Sequence, residues 1–199
     1  MTTNGMRAKT VTSSKIVVAG GFGVGKTTFV GSVSDIKPLT TEAIMTVASN
    51  GLDDTMRIPY KGTTTVAMDF GRVALDDDLL LYMFGTPGQE RFWFMWDNLV
   101  RGAIGAVVLA DTRRLADSFT SVDFFENRDI PYVVGVNTFD GILHHPLDHV
   151  RKAMMLDPDV PIFRCDARER GEVKKTLLGL LEHVMSQVQE QNEQQPSFV

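Results

Sequence analysis

Hydrophobic runs alternate with polar segments along most of this chain. Two runs, residues 103–110 and 132–136, are apolar at nearly every consecutive position, which is typical of parallel strands covered on both faces. Strands are predicted at residues 15–19, 66–75, 79–84, 103–110, 132–136 and 161–164, and helices at residues 26–34, 89–101, 115–128, 146–155 and 170–189. This alternation predicts an α/β fold, a doubly wound, mostly parallel six-stranded sheet.

The segments outside this alternation differ in character. Residues 1–13 are rich in Thr and Ser and are predicted to form a flexible arm, residues 14–189 a single domain, and residues 190–199 a polar, disordered tail. Residues 35–65 carry only a weak pattern, and connections of that length are usually functional or mobile. The three aspartates at 76–78 predict a hairpin turn, so the strands on either side should be antiparallel.

The last predicted helix carries six apolar residues at helical spacing, and we expect them to pack in the core. They are Leu177, Leu178, Leu181, Val184, Met185 and Val188.

Composition narrows the possible environments and partners. With 199 residues and 43% hydrophobic content, the chain is long enough for one well-packed domain. The net charge of −5 argues against nucleic acid as the main partner, because neutralising phosphates requires a basic face. Cys165 is the sole cysteine, and the sequence shows no membrane span, signal peptide or lipidation motif. We therefore expect a cytoplasmic protein, which a partner would recruit if it acts at a membrane.

The most specific chemical signal is a glycine-rich loop between the first predicted strand and the first predicted helix. The loop fits the pattern G-x-x-x-x-G-K-[ST] and consists of Gly20, Gly21, Phe22, Gly23, Val24, Gly25, Lys26 and Thr27. Glycines let backbone N–H groups close on an anion, and the start of the helix, which includes Thr28, adds a positive dipole. We expect Lys26 to reach the β- and γ-phosphates of a nucleotide and the Thr27 hydroxyl to bind Mg²⁺.

A second motif follows the third predicted strand, where residues 84–92 read Phe-Gly-Thr-Pro-Gly-Gln-Glu-Arg-Phe. Taken alone, the stretch is typical of a Gly-Pro turn before an exposed helix. It also resembles the Asp-x-x-Gly-Gln-Glu motif of the Ras-like small GTPases, with matches at Gly88, Gln89 and Glu90. The resemblance implies that the Gly88 N–H contacts the γ-phosphate and that two residues are catalytic: Gln89, which orients the attacking water, and Lys26.

Two metal-binding positions are read from the same resemblance. In Rab-like relatives a threonine four residues before Asp-Phe binds Mg²⁺; Thr65 falls on that position, with Thr64 as the alternative, although threonine is also common at strand edges. The family's Asp at the start of the second motif is Gly85 here. Either Asp69 or a second water is expected to take its place beside the metal.

Base recognition is expected after the fifth predicted strand. The family pattern Asn-Lys-x-Asp is matched at Asn137 and Asp140, whereas Thr138 stands in place of the Lys. In the family, the Asp carboxylate accepts hydrogen bonds from guanine N1–H and the exocyclic amine, a donor pair that adenine lacks. The loop that contains Asp166 and Ala167 resembles the Ser-Ala-Lys loop that contacts guanine O6 through backbone N–H groups.

The Thr-Pro-Gly-Gln variant resembles the bacterial MglA-type branch of small GTPases, and more closely the actinobacterial ATP/GTP-binding proteins of the conservon type. The resemblance implies a guanine-nucleotide-binding molecular switch that hydrolyses GTP slowly and uses GTP/GDP and Mg²⁺ as cofactors. It further implies two partners, a Roadblock-type regulatory protein and a sensor-kinase-like protein. Two alternatives stay open: a nucleotide-binding scaffold that does not hydrolyse, and a P-loop kinase or ATPase.

Overall fold

The structure of the protein, a computed structural model, describes residues 12–46, 63–76 and 78–194. For residues 40–46, 63–67, 90 and 194 it describes the backbone alone. Most of the predicted N-terminal arm, the centre of the 35–65 segment, Asp77 and the end of the predicted tail lie outside the described residues.

Seven strands form one mixed sheet within the described residues. They are β1 (Thr12–Gly20), β2 (Leu39–Thr46), β3 (Thr63–Asp76), β4 (Leu79–Gly85), β5 (Ala103–Ala110), β6 (Tyr132–Asn137) and β7 (Ile162–Cys165), in the order β2-β3-β4-β1-β5-β6-β7. The last five strands in that order run parallel, whereas β3 is antiparallel to both β2 and β4. The predicted doubly wound, mostly parallel sheet is confirmed, and so is the hairpin between β3 and β4.

The sheet has one strand more than the six predicted. β2 lies within the weakly patterned segment, and its sequence groups three polar residues before three apolar ones instead of alternating them. It forms a strand because β3 extends beyond β4 and pairs along the whole of β2, from Leu39 opposite Phe70 to Thr46 opposite Thr63. Backbone pairing with a long neighbour is a tertiary effect, which the spacing of apolar residues does not report.

Five α-helices and two 3₁₀ helices connect the described strands. They are α1 (Lys26–Val33), a 3₁₀ helix (Glu90–Met95) followed by α2 (Trp96–Leu99), a 3₁₀ helix (Leu115–Ser118) followed by α3 (Phe119–Glu126), α4 (Leu147–Ala153) and α5 (Arg170–Gln194). The helix predicted at 89–101 is therefore short and mostly 3₁₀. A 3₁₀ turn brings residues three apart onto one side, and the Trp93 and Trp96 rings lie 6.3 Å apart there.

The two faces of the sheet carry separate apolar layers. Ile16 and Val18 of β1 point to one face and pack with residues of α1 and α5. Val17 and Ala19 point to the other face and pack with residues of α2, α3 and α4. Because each fully buried aliphatic side chain contributes about 1.5–3 kcal/mol, these layers fix the register of the central strands.

The last helix differs from the prediction in two respects. It continues to Gln194, past the predicted domain boundary at residue 189 and into the segment assigned to the tail. Its apolar stripe is only partly core: Leu177 is fully buried, whereas Leu178, Met185 and Val188 are 51%, 62% and 51% exposed. Leu178 and Met185 lie roughly 80–100° around the helix from Leu177, whereas Val188 lies close to the face of Leu177 but about three turns further along the helix. No helix among the described residues has the length and apolar character needed to cross a membrane.

Candidate functional site

The glycine-rich loop leaves β1 at Gly20 and enters α1 at Lys26. Gly25, the residue before the helix, has a φ of +107°, a left-handed conformation that glycine adopts without strain. No side chain caps the start of α1, and its first turn carries no acidic residue. The helix therefore presents its positive dipole and its first backbone N–H groups to an anion, as the loop sequence predicts.

The ammonium group of Lys26 lies inside this loop, and the residue is only 8% exposed. Its Nζ donates hydrogen bonds to the carbonyl oxygens of Gly20, at 2.9 Å, and Gly21, at 2.8 Å. Since an ammonium has three N–H donors, one more is left for a phosphate oxygen. Burial lowers the pKa of Lys26 to about 8, an effect that Asp69 partly opposes. A phosphate at this position would favour the charged ammonium again.

Asp69 stands next to the position at which the family carries its motif aspartate. β3 pairs with β4 so that Asp69 lies opposite Gly85, and a Cβ on Gly85 would be 3.1 Å from Asp69 Oδ2. The Thr27 hydroxyl donates a hydrogen bond of 2.6 Å to the same Oδ2. Of the two substitutes that the sequence left open, this geometry favours Asp69 over a water.

The pair formed by Thr27 and Asp69 fits a Mg²⁺ ion. Hydroxyl and carboxylate oxygens are the ligands that Mg²⁺ prefers, and proteins usually hold it through one or two carboxylates together with substrate phosphates. Among the described residues, no group of three or more His, Cys, Asp and Glu side chains is placed to hold a metal by itself. The site therefore suits a metal that arrives with a nucleotide.

The second motif closes the phosphate loop from the end of β4. Gly88 lies so close to the loop that a Cβ on it would be 2.7 Å from Lys26 Nζ and 2.9 Å from Phe22 Cα. Thr86 is 3% exposed, and its hydroxyl has no hydrogen-bond partner among the described residues. The resulting cleft of about 380 Å³ is lined by Phe22, Gly23, Gly25, Lys26, Thr27, Thr28, Asp69, Thr86, Pro87 and Gly88.

Two predicted residues lie away from this cleft. Gln89 is exposed at the start of the 3₁₀ helix, where its carbonyl oxygen accepts a hydrogen bond from the Phe92 N–H. Thr65 pairs with Ile44 in the β2–β3 hairpin, and four residues of extended strand place it roughly 13 Å along the chain from Asp69. A catalytic role for Gln89 and a metal-binding role for Thr65 stay predictions.

Asn137, at the end of β6, joins the phosphate loop to the base-reading loops. Its Nδ2 donates to the Val24 carbonyl oxygen at 2.8 Å, and its Oδ1 accepts from the Ala167 N–H at 3.1 Å. The side chain is nearly fully buried, at 7% exposure. A Cβ on Gly25 would lie 2.6 Å from Asn137 Nδ2, so the amide can reach the loop only because residue 25 is glycine.

The two other predicted residues of this loop, Thr138 and Asp140, differ in their exposure. Asp140 is exposed at the carboxyl edge of the sheet, where its carboxylate is available to a ligand. Thr138 is 3% exposed, and its buried hydroxyl has no partner among the described residues. Thr138 therefore points into the protein and offers no surface on which a base could stack.

The loop predicted to contact guanine O6 uses its backbone N–H groups internally. The Asp166 N–H donates to Glu172, the Ala167 N–H to Asn137 and the Arg168 N–H to Asp166 Oδ1. The Arg168 guanidinium also binds the Asp166 carboxylate at 2.7 Å and lowers the pKa of that group. In this conformation the contact to O6 that the resemblance assigns to Ala167 requires its N–H to leave Asn137.

Sequence reasoning missed one charged group at this edge. Arg113, in the loop after β5, binds Asp111 through Nε at 2.9 Å and Nη2 at 2.8 Å, and the centre of its guanidinium lies 4.0 Å from the Phe139 ring centroid. Asp111 and Arg113 line a small depression together with Asn137, Phe139 and Asp140. The position of Arg113 directly after a buried parallel strand is the sequence signal that would have identified this residue, because ligands bind at the carboxyl ends of such strands.

The arrangement of strands and helices is similar to that of solved G-domains. The cytosolic domain of the Thermotoga maritima FeoB iron transporter in a GDP form superimposes with a TM-score of 0.61 at 14% sequence identity; the match covers 87% of this chain and 64% of the FeoB domain. The chain thus spans less than two thirds of that protein's length. The FeoB G-domain of Methanococcus jannaschii gives a TM-score of 0.58 at 12% identity, over 88% of this chain and 99% of the G-domain. At these identities the likeness shows a GTPase-like P-loop fold.

Sequence comparisons identify the family. An uncharacterized protein of Methanocaldococcus jannaschii is 31% identical over 128 residues, which is 63% of this chain and 70% of the relative. The sequence profile of the conserved hypothetical ATP binding proteins matches residues 18–187, a range that begins in β1 and ends in α5. The match includes the phosphate loop, Asp69, the second motif and both base-reading loops. The chain therefore belongs to this family of P-loop nucleotide-binding proteins.

Proposed function

We propose that this protein binds guanine nucleotides together with Mg²⁺ and acts as a molecular switch that hydrolyses GTP. The observation that carries the proposal is the hydrogen bond from Thr27 to Asp69, directly opposite Gly85. This contact places a carboxylate beside the hydroxyl of the phosphate loop, which is where a Mg²⁺ ion bound to the phosphates would need an oxygen ligand. Asp69 supplies from β3 the charge that β4 lacks.

Each phosphate-facing residue would have a separate task. Backbone N–H groups at the start of α1 would hold the phosphates, and Lys26 would neutralise charge on the β- and γ-phosphates. Thr27 and Asp69 would hold Mg²⁺, which supplies further positive charge when it is bound. Gln89 would orient the attacking water once the second motif has moved it towards the cleft.

The close contact between the second motif and the phosphate loop would make the site responsive to the γ-phosphate. Gly88 lies against Lys26 and Phe22 in the space above the loop. A γ-phosphate beside Lys26 would also lie beside this glycine and contact it, whereas a diphosphate would not make that contact. GTP and GDP would therefore favour different positions of residues 86–95.

Guanine preference would rest on Asp140. Its exposed carboxylate can accept the two donors on the guanine edge, and it lines the same depression as Arg113. The family description refers to ATP, and the internal hydrogen bonds of residues 166–168 remove one guanine contact. Competition between GTP and ATP for the nucleotide-free protein measures this preference directly.

A scaffold that binds nucleotide without hydrolysing it is the second candidate function. The observation that favours it is the position of Gln89, which is exposed and does not line the phosphate cleft. In that case the nucleotide would stabilise the fold, and partner binding would not depend on which nucleotide is present.

The proposal extends to the branch of small GTPases that this chain resembles and to the partners of that branch. We infer an MglA-like protein of the conservon type, regulated by a Roadblock-type protein and linked to a sensor-kinase-like protein. The side chains that support a nucleotide-dependent docking surface are Phe22, 64% exposed in the phosphate loop, and Phe94, 58% exposed in the 3₁₀ helix after the second motif. Both would move with Gly88.

Equilibrium binding to the nucleotide-free protein tests the proposal. We expect GTP and GDP to bind more tightly than ATP, and Asp140→Asn to reduce the affinity for GTP but not for ATP. Slow GTP turnover that Gln89→Leu abolishes, with unchanged GTP affinity, would support the switch over the scaffold. Equal affinities for GTP and ATP in the wild type would contradict the guanine assignment, and no turnover would leave the scaffold function in its place.

A further inference from the structure

The edge of the sheet that carries the proposed base-reading residues lacks the cationic side chain that would cover one face of the base. The loop after β5 carries another cationic side chain close to this edge. The lysine of the family pattern normally extends along one face of the base, but its position is held by Thr138, which is buried and points inward. A purine whose face is left in water loses much of its binding energy, because stacking on a planar or cationic group contributes substantially to the affinity for a base.

Arg113 is positioned to provide that face. Its guanidinium lies 4.0 Å from the centroid of the Phe139 ring, and Phe139 is directly followed by the proposed guanine-reading Asp140. Arg113 and Asp140 also line the same small depression, together with Asn137 and Phe139, at the carboxyl ends of β5 and β6.

The arginine is also held in place before any ligand binds. Asp111 accepts hydrogen bonds from the Arg113 backbone N–H, at 2.9 Å, and from Nε and Nη2 of its guanidinium. A side chain fixed at both its backbone and its tip loses little further entropy on binding. One face of the planar guanidinium covers Phe139, so a base can stack only on the opposite face.

We propose that Arg113 is the residue on which the nucleobase stacks, in place of the lysine that Ras-like small GTPases carry where this chain has Thr138. The inference rests on the proposed function, since it concerns the base of the same nucleotide. Stacking does not distinguish purines, so Arg113 would contribute affinity for guanine and adenine nucleotides alike, and Asp140 would supply the selectivity.

A comparison of ligands with and without a base tests this role. The nucleotide-free full-length protein would be titrated calorimetrically with GDP, ADP and inorganic pyrophosphate, for the wild type, Arg113→Ala and Arg113→Gln. We expect Arg113→Ala to weaken GDP and ADP binding by roughly 5- to 30-fold and to leave pyrophosphate binding within about twofold. Arg113→Gln keeps the length of the side chain and tests whether any loss depends on the guanidinium.

Arg128 provides a matched control. It also pairs with a carboxylate, Asp97 at 2.7 Å, and its guanidinium centre lies 3.8 Å from the Phe124 ring centroid, but it lies after α3, away from the depression. Arg128→Ala should leave all three affinities unchanged.

Each outcome bears on a different claim. If Arg113→Ala binds GDP as tightly as the wild type does, Arg113 does not stack on the base, although the proposed function stands. If GDP and pyrophosphate binding weaken equally, Arg113 acts through the fold or the phosphate loop, and the inference is wrong. If the wild type binds pyrophosphate but neither GDP nor ADP, or binds none of the three, the proposed function fails as well.

Discussion

The side chain of Asn137 should be worth more to the stability of this protein than any other amide in the site. It is 7% exposed and makes two hydrogen bonds, one to the Val24 carbonyl oxygen and one from the Ala167 N–H. Asn137→Ala would remove both and leave the two backbone groups unpaired in the interior. A buried group without its partner costs about 1–3 kcal/mol, so we expect a loss of about 2–5 kcal/mol in the free energy of unfolding.

Urea denaturation followed by circular dichroism measures this loss. For a chain of this size, the expected change corresponds to a decrease in the melting temperature of roughly 5–15 °C. The m-value should stay constant, because the surface exposed on unfolding hardly changes.

Asn127→Ala is the control for this experiment. Asn127 also donates through Nδ2 to a backbone oxygen, that of Asp123 at 2.7 Å, but this bond is exposed to solvent. Its loss should cost under about 0.5 kcal/mol. If the two alanine variants have the same stability, Asn137 does not join the phosphate loop to the base-reading loops, and the reasoning is refuted.

Two further predictions concern the phosphate cleft. Burial lowers the pKa of Lys26 from its ordinary 10.5 to about 8. Between pH 8 and 10.5 the unfolded chain therefore binds more protons than the folded protein without a ligand does. The free energy of unfolding of the ligand-free protein should consequently rise with pH over this range. A phosphate ligand favours the ammonium form of Lys26, so GDP should bind with proton uptake and its affinity should fall by up to about tenfold per pH unit above 8. Calorimetry in buffers of different ionisation enthalpy detects this uptake. The same binding heat in every buffer would contradict the prediction. Gly88→Ala places a Cβ 2.9 Å from the Phe22 Cα and 3.0 Å from the Phe22 backbone N, so thermal denaturation should show a loss of about 1–3 kcal/mol. Gly171→Ala, in the first turn of α5 with nothing within 4 Å of its Cβ, should be neutral or slightly stabilising, because Ala favours a helix over Gly. A Gly88→Ala variant as stable as the wild type would argue against the close contact.

The sequence predicted the central part of the fold well because that part is buried on both faces. β5 was predicted with its observed bounds, and β6 differs from its prediction only by including Asn137. These strands consist almost entirely of apolar residues, and such residues stay buried whatever their neighbours are. Elements at the edge were predicted less well: β2 depends on backbone pairing with β3, and the outer stripe of α5 depends on how much of the helix the sheet covers.

The candidate site also has parts that the sequence predicts well and parts that it does not. Motif residues that lie on one continuous segment, such as those of the phosphate loop, can be read from the sequence because their spacing along the chain fixes their spacing in space. Asp69 could be named only as one of two substitutes, since its place opposite Gly85 depends on the register between β3 and β4. Arg113 was missed because its partner Phe139 comes from a different strand–loop unit.

The local conformation around a motif residue is a further limit on what the sequence predicts. Gln89 and Thr65 match family positions, yet in this structure one is exposed and the other lies within an extended hairpin. A motif match gives the residue type at a position, whereas the conformation of that position depends on tertiary contacts that the motif does not describe.

The dependence of GTP affinity on Mg²⁺ tests the central claim most directly, namely that Asp69 replaces the missing motif aspartate in a metal–nucleotide site. We would measure the dissociation constant of GTP with Mg²⁺ and with a chelator for the wild type, for Asp69→Gly, and for the double variant Asp69→Gly/Gly85→Asp, in which the carboxylate returns to β4. We expect Mg²⁺ to strengthen GTP binding to the wild type, to have little effect on Asp69→Gly, and to regain its effect in the double variant. Equal Mg²⁺ dependence in the wild type and Asp69→Gly, or none in the wild type, would contradict this claim.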